Sequence, residues 1–413
     1  MRIINFSRFA LGISAVLAML EGCGGGSQPP AAIPAVTAAN ARVERLANAG
    51  RQIRNVIIVV QQTRSFDNLF AGFPGADAPE FGYTKSGRRV PLAPITLERH
   101  ACDIGDVDVA FRTAYDDGKM DGWNLLDRKD PLCPYTRVAR DETRFYWNLA
   151  KQYALADRMF ESTHFNAFVN RLYIIAGTTR LAAQKYDIGM PTMLPPTCDA
   201  PAGTRTSVLR RGIIVTGRGP YPCFTQFPTI ANLLDNAKVS WRGYEDTGPQ
   251  GPWNPFQSIK YIADGPDKGD LSSPATNILS DLAHGKLATV SWVFSPLHDS
   301  DAPGSRGGPH WVKAIVEAAE QSRYWPHAAV IVVWSNSGDG LFYDDVAPPQ
   351  LDVMGLGFRV PLIVASPYAK RGFVSHTQYE FGSILKFLEE NWNLGSLGAT
   401  DERANSIGDI FNF

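Results

Sequence analysis

With 413 residues, 44% of them apolar and 20% charged, the chain carries enough hydrophobic material for a large core and is neither disordered nor low-complexity in composition. A formal net charge of -1 and the lack of any Lys/Arg run leave no electrostatic footprint for nucleic acid, so no nucleic-acid partner is expected.

The N-terminus opens with Arg2 and Arg8, continues through an apolar run over residues 9–20 and reaches Leu20-Glu21-Gly22-Cys23. This order reads as an export signal over residues 1–23 that ends at a lipobox-like cysteine. The apolar run is too short to span a bilayer as a helix. Glu21 stands where a small residue is usual, so lipidation of Cys23 and plain cleavage nearby both stay open; either places the protein outside the cytoplasm. Residues 24–50 begin with three glycines, a serine and a Gln-Pro-Pro segment and read as a flexible tether. Residues 51–413 are expected to form one domain.

Setting Cys23 aside leaves Cys102, Cys133, Cys198 and Cys223, an even count for an oxidising compartment. Three pairings are open. We take the nearest-neighbour one, Cys102 with Cys133 and Cys198 with Cys223, which clips two long polar loops. A zinc site would need close Cys or His spacing that the sequence lacks.

In chain order, residues 56–60 form an apolar run with the look of a buried parallel strand. A helix is predicted over residues 141–156 with Asp141 as its N-cap. Residues 185–275, rich in Pro, Gly and Asp, read as long surface excursions. A second strand is expected at 289–293, then a helix at 311–320 behind Pro309. Strands at 330–334 and 360–365 follow, also taken as parallel, and a helix at 378–392 with Thr377 and Glu380 as a capping box and Gly395 past its end. Such alternation predicts an α/β fold, a mostly parallel central sheet with helices on both faces. Ligands in such folds bind beyond the carboxyl ends of the strands, here residues 61–64, 294–300, 335–340 and 366–368.

Several segments carry more than pattern. The run IIVVQQTRSFDNLF at 57–70 is joined by Gly118-Lys119-Met120-Asp121-Gly122-Trp123, Tyr153-Ala154-Leu155-Ala156-Asp157 and Asn170-Arg171-Leu172-Tyr173 with Ala176-Gly177-Thr178. Later come Phe342-Tyr343-Asp344, Arg359-Val360-Pro361-Leu362-Ile363-Val364, Ser366-Pro367-Tyr368-Ala369 and His376-Thr377-Gln378-Tyr379. Together they resemble the phospholipase C and acid phosphatase type of bacterial phosphoesterase, a branch of the alkaline-phosphatase-like superfamily. The resemblance implies an alkaline-phosphatase-like fold and a place in the bacterial cell envelope. It also implies a hydroxyl nucleophile at a helix N-terminus, surrounded by acidic, amide and imidazole groups that bind metal or phosphoryl oxygens.

Those reactive positions are substituted. Where the family reads Q-E-N-R-S-F-D, this chain has Gln62 and Thr63 for the Glu and Asn. Aligning on Asn170-Arg171-Leu172-Tyr173 places Ala167 at the nucleophilic serine. Where the family reads W-D-D-x-G-G, Trp334 is followed by Ser335 and Asn336. Ala302 replaces a histidine, and Asp106 replaces another. The expectation is therefore a pseudo-enzyme acting as a binding or scaffold lipoprotein for a phosphate-bearing or lipid ligand, attached to a membrane through its acyl anchor. The alternative is an active hydrolase of phosphoric esters with a relocated site. No cofactor is expected, and a divalent metal only if the site is rebuilt, for instance around Asp339. Asn170 and Arg171 are candidate ligand contacts. His164, His298, His310, Asp299 and Asp301 read as loop residues bonded to backbone or solvent. Arg64-Ser65-Phe66-Asp67 is expected to stabilise the first turn, and Asp344 and Asp345 to be solvated turn residues.

Overall fold

The computed structural model describes residues 52–100, 102–105, 107–181, 186–210, 213–246, 254–335 and 341–413. The signal, the tether, Cys23, Asp106, Asn336 and Asp339 lie outside the described residues.

The central sheet has eight strands: β1 Asn55–Gln62, β2 Ala154–Ala156, β3 Trp241–Tyr244, β4 Leu271–Ser272, β5 Val290–Phe294, β6 Ala328–Ser335, β7 Leu362–Ala365 and β8 Phe373–Ser375. Their spatial order is β4-β3-β5-β1-β6-β7-β2-β8. The middle strands are apolar along most of their length because both of their faces are covered: every residue of β6 and all of β1 after Asn55 are buried. Among the helices of the described residues are α1 Phe66–Phe70, α2 Arg144–Gln152, α3 Ala167–Ala176, α4 Gly308–Gln321 and α5 Phe381–Trp392. Of these, α4 packs on β6 and α2, while α3 packs on β6 and α5. The expected mostly parallel α/β architecture is present.

Four local expectations differ from the structure. The run at 360–365 is not a parallel strand: β7 runs antiparallel to both β6 and β2. A parallel neighbour needs a crossover back to the starting edge, usually a helix. Among the described residues between β6 and β7 there is no helix, and Asp344 and Arg359 tie that stretch to Phe66 and Asp67, just past the carboxyl end of β1. Residues 366–368 therefore leave at the opposite edge, where the Ser366 hydroxyl donates to the carbonyl of Ala328 at the start of β6 (2.8 Å). They are not next to the carboxyl-end site.

The helix predicted over 141–156 is shorter: α2 begins behind Thr143, and its C-terminal neighbour Tyr153 leaves helical geometry. The Ala154-Leu155-Ala156 that comes next is β2, a short apolar run whose period does not separate strand from helix. The helix at 378–392 starts at Phe381, where Glu380 caps it in a capping box with Ser383 in place of the Thr377–Glu380 pair. Lastly, residues 185–275 supply β3 and β4 to the main sheet. Arg180–Leu181, Tyr186–Pro191, Thr206–Arg210 and Ile213–Val215 form a separate antiparallel four-stranded sheet. Both disulfides pair as expected, Cys102 with Cys133 and Cys198 with Cys223.

Candidate functional site

Three adjacent strands end together at the carboxyl edge. Gln62, the last residue of β1, stands opposite Ser335, the last residue of β6, in parallel register. The Gln62 side-chain amide donates to the carbonyl of Ser295, the first residue past β5 (3.1 Å). The Ser335 hydroxyl donates to a carboxylate oxygen of Glu161 (3.4 Å) in the loop that leads from β2 to α3. Glu161 is itself buried. So the structure brings Gln62 and Ser335 together and adds Glu161, a residue that sequence reading missed: one glutamate in an irregular loop carries no periodic or motif signal.

Thr63 follows at once. Its N–H donates to the Ser335 carbonyl (2.8 Å), and its φ of 58° lies in the left-handed region. A β-branched residue is disfavoured there, whereas asparagine visits it readily. Replacing Thr63→Asn is accordingly expected to raise stability by about 1 kcal/mol. Urea unfolding checks this. An unchanged or lowered midpoint would mean that the packing of the threonine outweighs its backbone strain.

Ala167 is the first residue of α3. Ahead of it Asn166 caps the helix, its side-chain oxygen accepting from the N–H of Val169 (3.2 Å). The position given to the nucleophile thus falls at a helix N-terminus, where backbone N–H groups and the helix dipole favour an anion. The side chain there is a methyl group. Asn170 stitches the entry loop to the helix: its amide donates to the carbonyls of Thr163 (2.9 Å) and Phe165 (3.0 Å), and its oxygen accepts from the N–H of Thr163 (3.2 Å). Arg171 is buried on the same helix. Beside Asn166 lies a cavity of about 260 Å³ walled mainly by Phe165, Ile188, Val208, Leu209 and Met354, with the acidic Asp108 also in its lining.

Ala302 is buried next to Asp301, its N–H donating to the Ser300 hydroxyl (3.2 Å). Asp301 is no loop residue facing solvent. One of its oxygens accepts from the Tyr146 hydroxyl (2.8 Å) and from the Trp334 indole N–H (2.8 Å), and its N–H donates to Gln61 (3.2 Å). Burial pushes its carboxyl up to about 6.

The Arg64-Ser65-Phe66-Asp67 segment holds the turn after β1, as its sequence suggests. Arg64 donates to the carbonyls of Asp301 (2.7 Å) and Leu97 (2.7 Å) and to the side chain of Asn68 (3.1 Å). Ser65 caps α1 and donates to the carbonyl of Tyr343 (2.7 Å). Asp67 joins a buried cluster in which Arg359 pairs with Asp67 (3.2 Å), Asp344 (2.7 Å) and Asp345 (2.7 Å). Asp344 is fully buried and Asp345 mostly so, which corrects the expectation of solvated turn residues. Local sequence makes Phe-Tyr-Asp-Asp look like a turn; the guanidinium that permits burial arrives from Arg359. Burial and the neighbouring carboxylate of Asp344 push Asp67 well up, and burial pushes Asp344 up to about 6. Oxygens of these three carboxylates lie within 4.8 Å of one another, but Arg359 already bonds to all of them.

At the carboxyl edge the chemistry is different. Among the described residues, Gln62, Thr63 and Ser335 supply neutral groups, and Glu161 is the carboxylate in contact with them. Divalent cations in phosphoryl chemistry are held by several oxygens with carboxylate charge among them, and these described donors do not by themselves make such a set.

A profile of the Phosphoesterase family matches residues 53–395. The chain is 23% identical over 426 residues to the non-hemolytic phospholipase C of Pseudomonas aeruginosa, covering 88% of this chain and 58% of that protein. It is 23% identical over 429 residues to phospholipase C A of Mycobacterium tuberculosis, covering 87% and 77%. The chain thus spans less than two thirds of the length of the Pseudomonas enzyme. Among solved structures, a protein in the alkaline phosphatase superfamily from Vibrio parahaemolyticus aligns over 91% of this chain and 82% of that one, with a TM-score of 0.38 and 10% identity.

Proposed function

Because the chain belongs to the phosphoesterase family, matched across residues 53–395, we propose that it is a catalytically degenerate member that works as a binding or scaffold lipoprotein. Ala167 carries this reading. It is the first residue of α3, where the family resemblance requires a hydroxyl, and a methyl group forms no phosphoryl-enzyme bond. The neutral side chains of Gln62, Thr63 and Ser335 support the same reading, since they leave Glu161 as the carboxylate in contact with them among the described residues and so less charge for a cation to balance. The helix N-terminus at Ala167 suits a phosphate group and the mainly apolar cavity beside Asn166 suits a lipid chain, in a ligand that is held and not cut. In this reading the protein is exported to the bacterial cell envelope and anchored by an acyl group on Cys23. The two disulfides suit an oxidising compartment.

A second reading, an active esterase with a relocated site, draws on one observation. Ser335 has a buried carboxylate partner in Glu161, as an activated serine would. Assays with a phosphomonoester and with phosphatidylcholine separate the two. The expected result is no turnover above the blank and no thermal stabilisation by zinc, calcium or manganese. Turnover abolished by both Ser335→Ala and Glu161→Gln would replace the first reading with the second.

A further inference from the structure

The four-stranded antiparallel sheet ends in an unusual edge. Its outer strand, Ile213–Val215, pairs with Thr206–Arg210 and places Ile213 against Arg210, Ile214 against Leu209 and Val215 against Val208. Edge strands of soluble proteins are normally guarded by charge, proline or a cover. Here all three side chains are aliphatic and open to solvent, with Ile213 65%, Ile214 42% and Val215 39% exposed. Ile214 also lines the cavity beside Asn166, so the exposed strand and that cavity are continuous.

Along the chain the charge flanking this strand is one-sided, although Asp108 also lines the cavity that Ile214 borders. Arg205, Arg210, Arg211 and Arg218 fall in a stretch with no acidic residue between Asp199 and Asp235. Arg210 stands directly across from Ile213, and the N–H of Gly219, next to Arg218, donates to the carbonyl of Thr206 (2.7 Å), next to Arg205. Arginines thus bracket the apolar strand at both ends of the ladder. Arg205, Arg210 and Arg218 are exposed and form no ion pair among the described residues. Aliphatic side chains between unpaired arginines match a bilayer surface of anionic phospholipid: the side chains enter the acyl boundary while the guanidinium groups meet headgroup phosphates. A second copy of the chain seated edge to edge would instead bring these uncompensated positive charges together.

We propose that the Ile213–Val215 strand is a membrane-docking edge that inserts into the surface of an anionic phospholipid leaflet. This contact is separate from any acyl group at Cys23 and from any chemistry at the carboxyl edge of the central sheet. It orients the bound protein so that the cavity lined by Ile214 opens toward lipid.

Hydrogen exchange on the full chain tests it, with vesicles of phosphatidylcholine alone and of phosphatidylcholine mixed with phosphatidylglycerol. The expected result is slowed exchange over residues 206–215 with the anionic vesicles and little change with the neutral ones. This readout locates the contact whichever other segment tethers the chain. In vesicle binding, Arg205→Gln, Arg210→Gln and Arg218→Gln should each weaken affinity about fivefold, and more at low salt. Replacing Ile213, Ile214 and Val215 together by serine should weaken it about tenfold or more. Exchange over 206–215 that vesicles leave unchanged would overturn the proposal. So would protection that appears without vesicles as protein concentration rises, which would make the edge an interface between copies.

Discussion

Replacing Arg359→Met is expected to destabilise the protein by about 3–5 kcal/mol at neutral pH, the cost of leaving buried charge without its partner. Arg359 is fully buried and bonds to three carboxylates, those of Asp67 on α1 and of Asp344 and Asp345 before β7. It also donates to the carbonyls of Asp77 (2.8 Å) and Asp157 (2.9 Å), so its loss opens five contacts at once. Methionine keeps most of the volume and removes the charge, which separates the electrostatic effect from a cavity. The pH dependence arises from the same group. Asp344 is held at about 6 in the folded protein against an ordinary 3.8, and Asp67 is also raised. Over that window the folded state binds protons that the unfolded state has released, so these carboxyls lower stability as pH rises from about 4 to about 6. Arg359 pulls both groups down, so without it the window extends to higher pH. The deficit of Arg359→Met should be largest near pH 7 and smallest below about pH 4. Urea unfolding across that range measures it. A deficit below about 1 kcal/mol that does not vary with pH would show that the carboxyls are already neutral in the native protein.

Restoring the family residues is expected to have the larger effect on chemistry. The chain carrying Gln62→Glu, Ala167→Ser, Ser335→Asp and Asn336→Asp should be less stable than the natural chain without metal and clearly stabilised by manganese, zinc or calcium. New carboxylates at residues 62 and 335 would stand beside the buried Glu161, and their repulsion calls for a cation. A cation present at a hundred times its Kd would add about 2.7 kcal/mol. With a hydroxyl at the start of α3, turnover of a phosphomonoester should rise by about a thousandfold or more over the natural chain, the scale on which catalysis depends on its nucleophile. Stabilisation by metal without turnover would show a rebuilt cation site on a scaffold that has lost other parts. If neither appears, the alignment that places Ala167 and Ser335 at the reactive positions is wrong.

How much of the molecule was legible in the sequence varies by element. The runs inside β1, β5 and β6 could be read directly, because a strand buried on both faces is apolar at every position. β3 and β4 could not: Trp-Arg-Gly-Tyr and Leu-Ser are short strands of mixed polarity at one end of the sheet that borrow their shape from β5 and from each other. Gln62, Thr63, Ala167 and Ser335 were singled out through ordered motifs; the structure sets Gln62, Thr63 and Ser335 together at one sheet edge and Ala167 at the start of α3. Glu161 was invisible because its part comes from a contact 174 residues away along the chain. Asp344 looked solvated for the same kind of reason.

The sequence by itself determined the chemistry available: an alanine where the family resemblance places a hydroxyl, an amide where it places a carboxylate, an even set of four cysteines, and arginines without acids in the stretch around Ile213. Tertiary structure alone decided which way β7 runs and which polar groups meet. Strand direction depends on whether the connecting chain can cross back to the starting edge. The charge that a buried carboxylate keeps depends on partners such as Arg359, which lies 292 residues from Asp67.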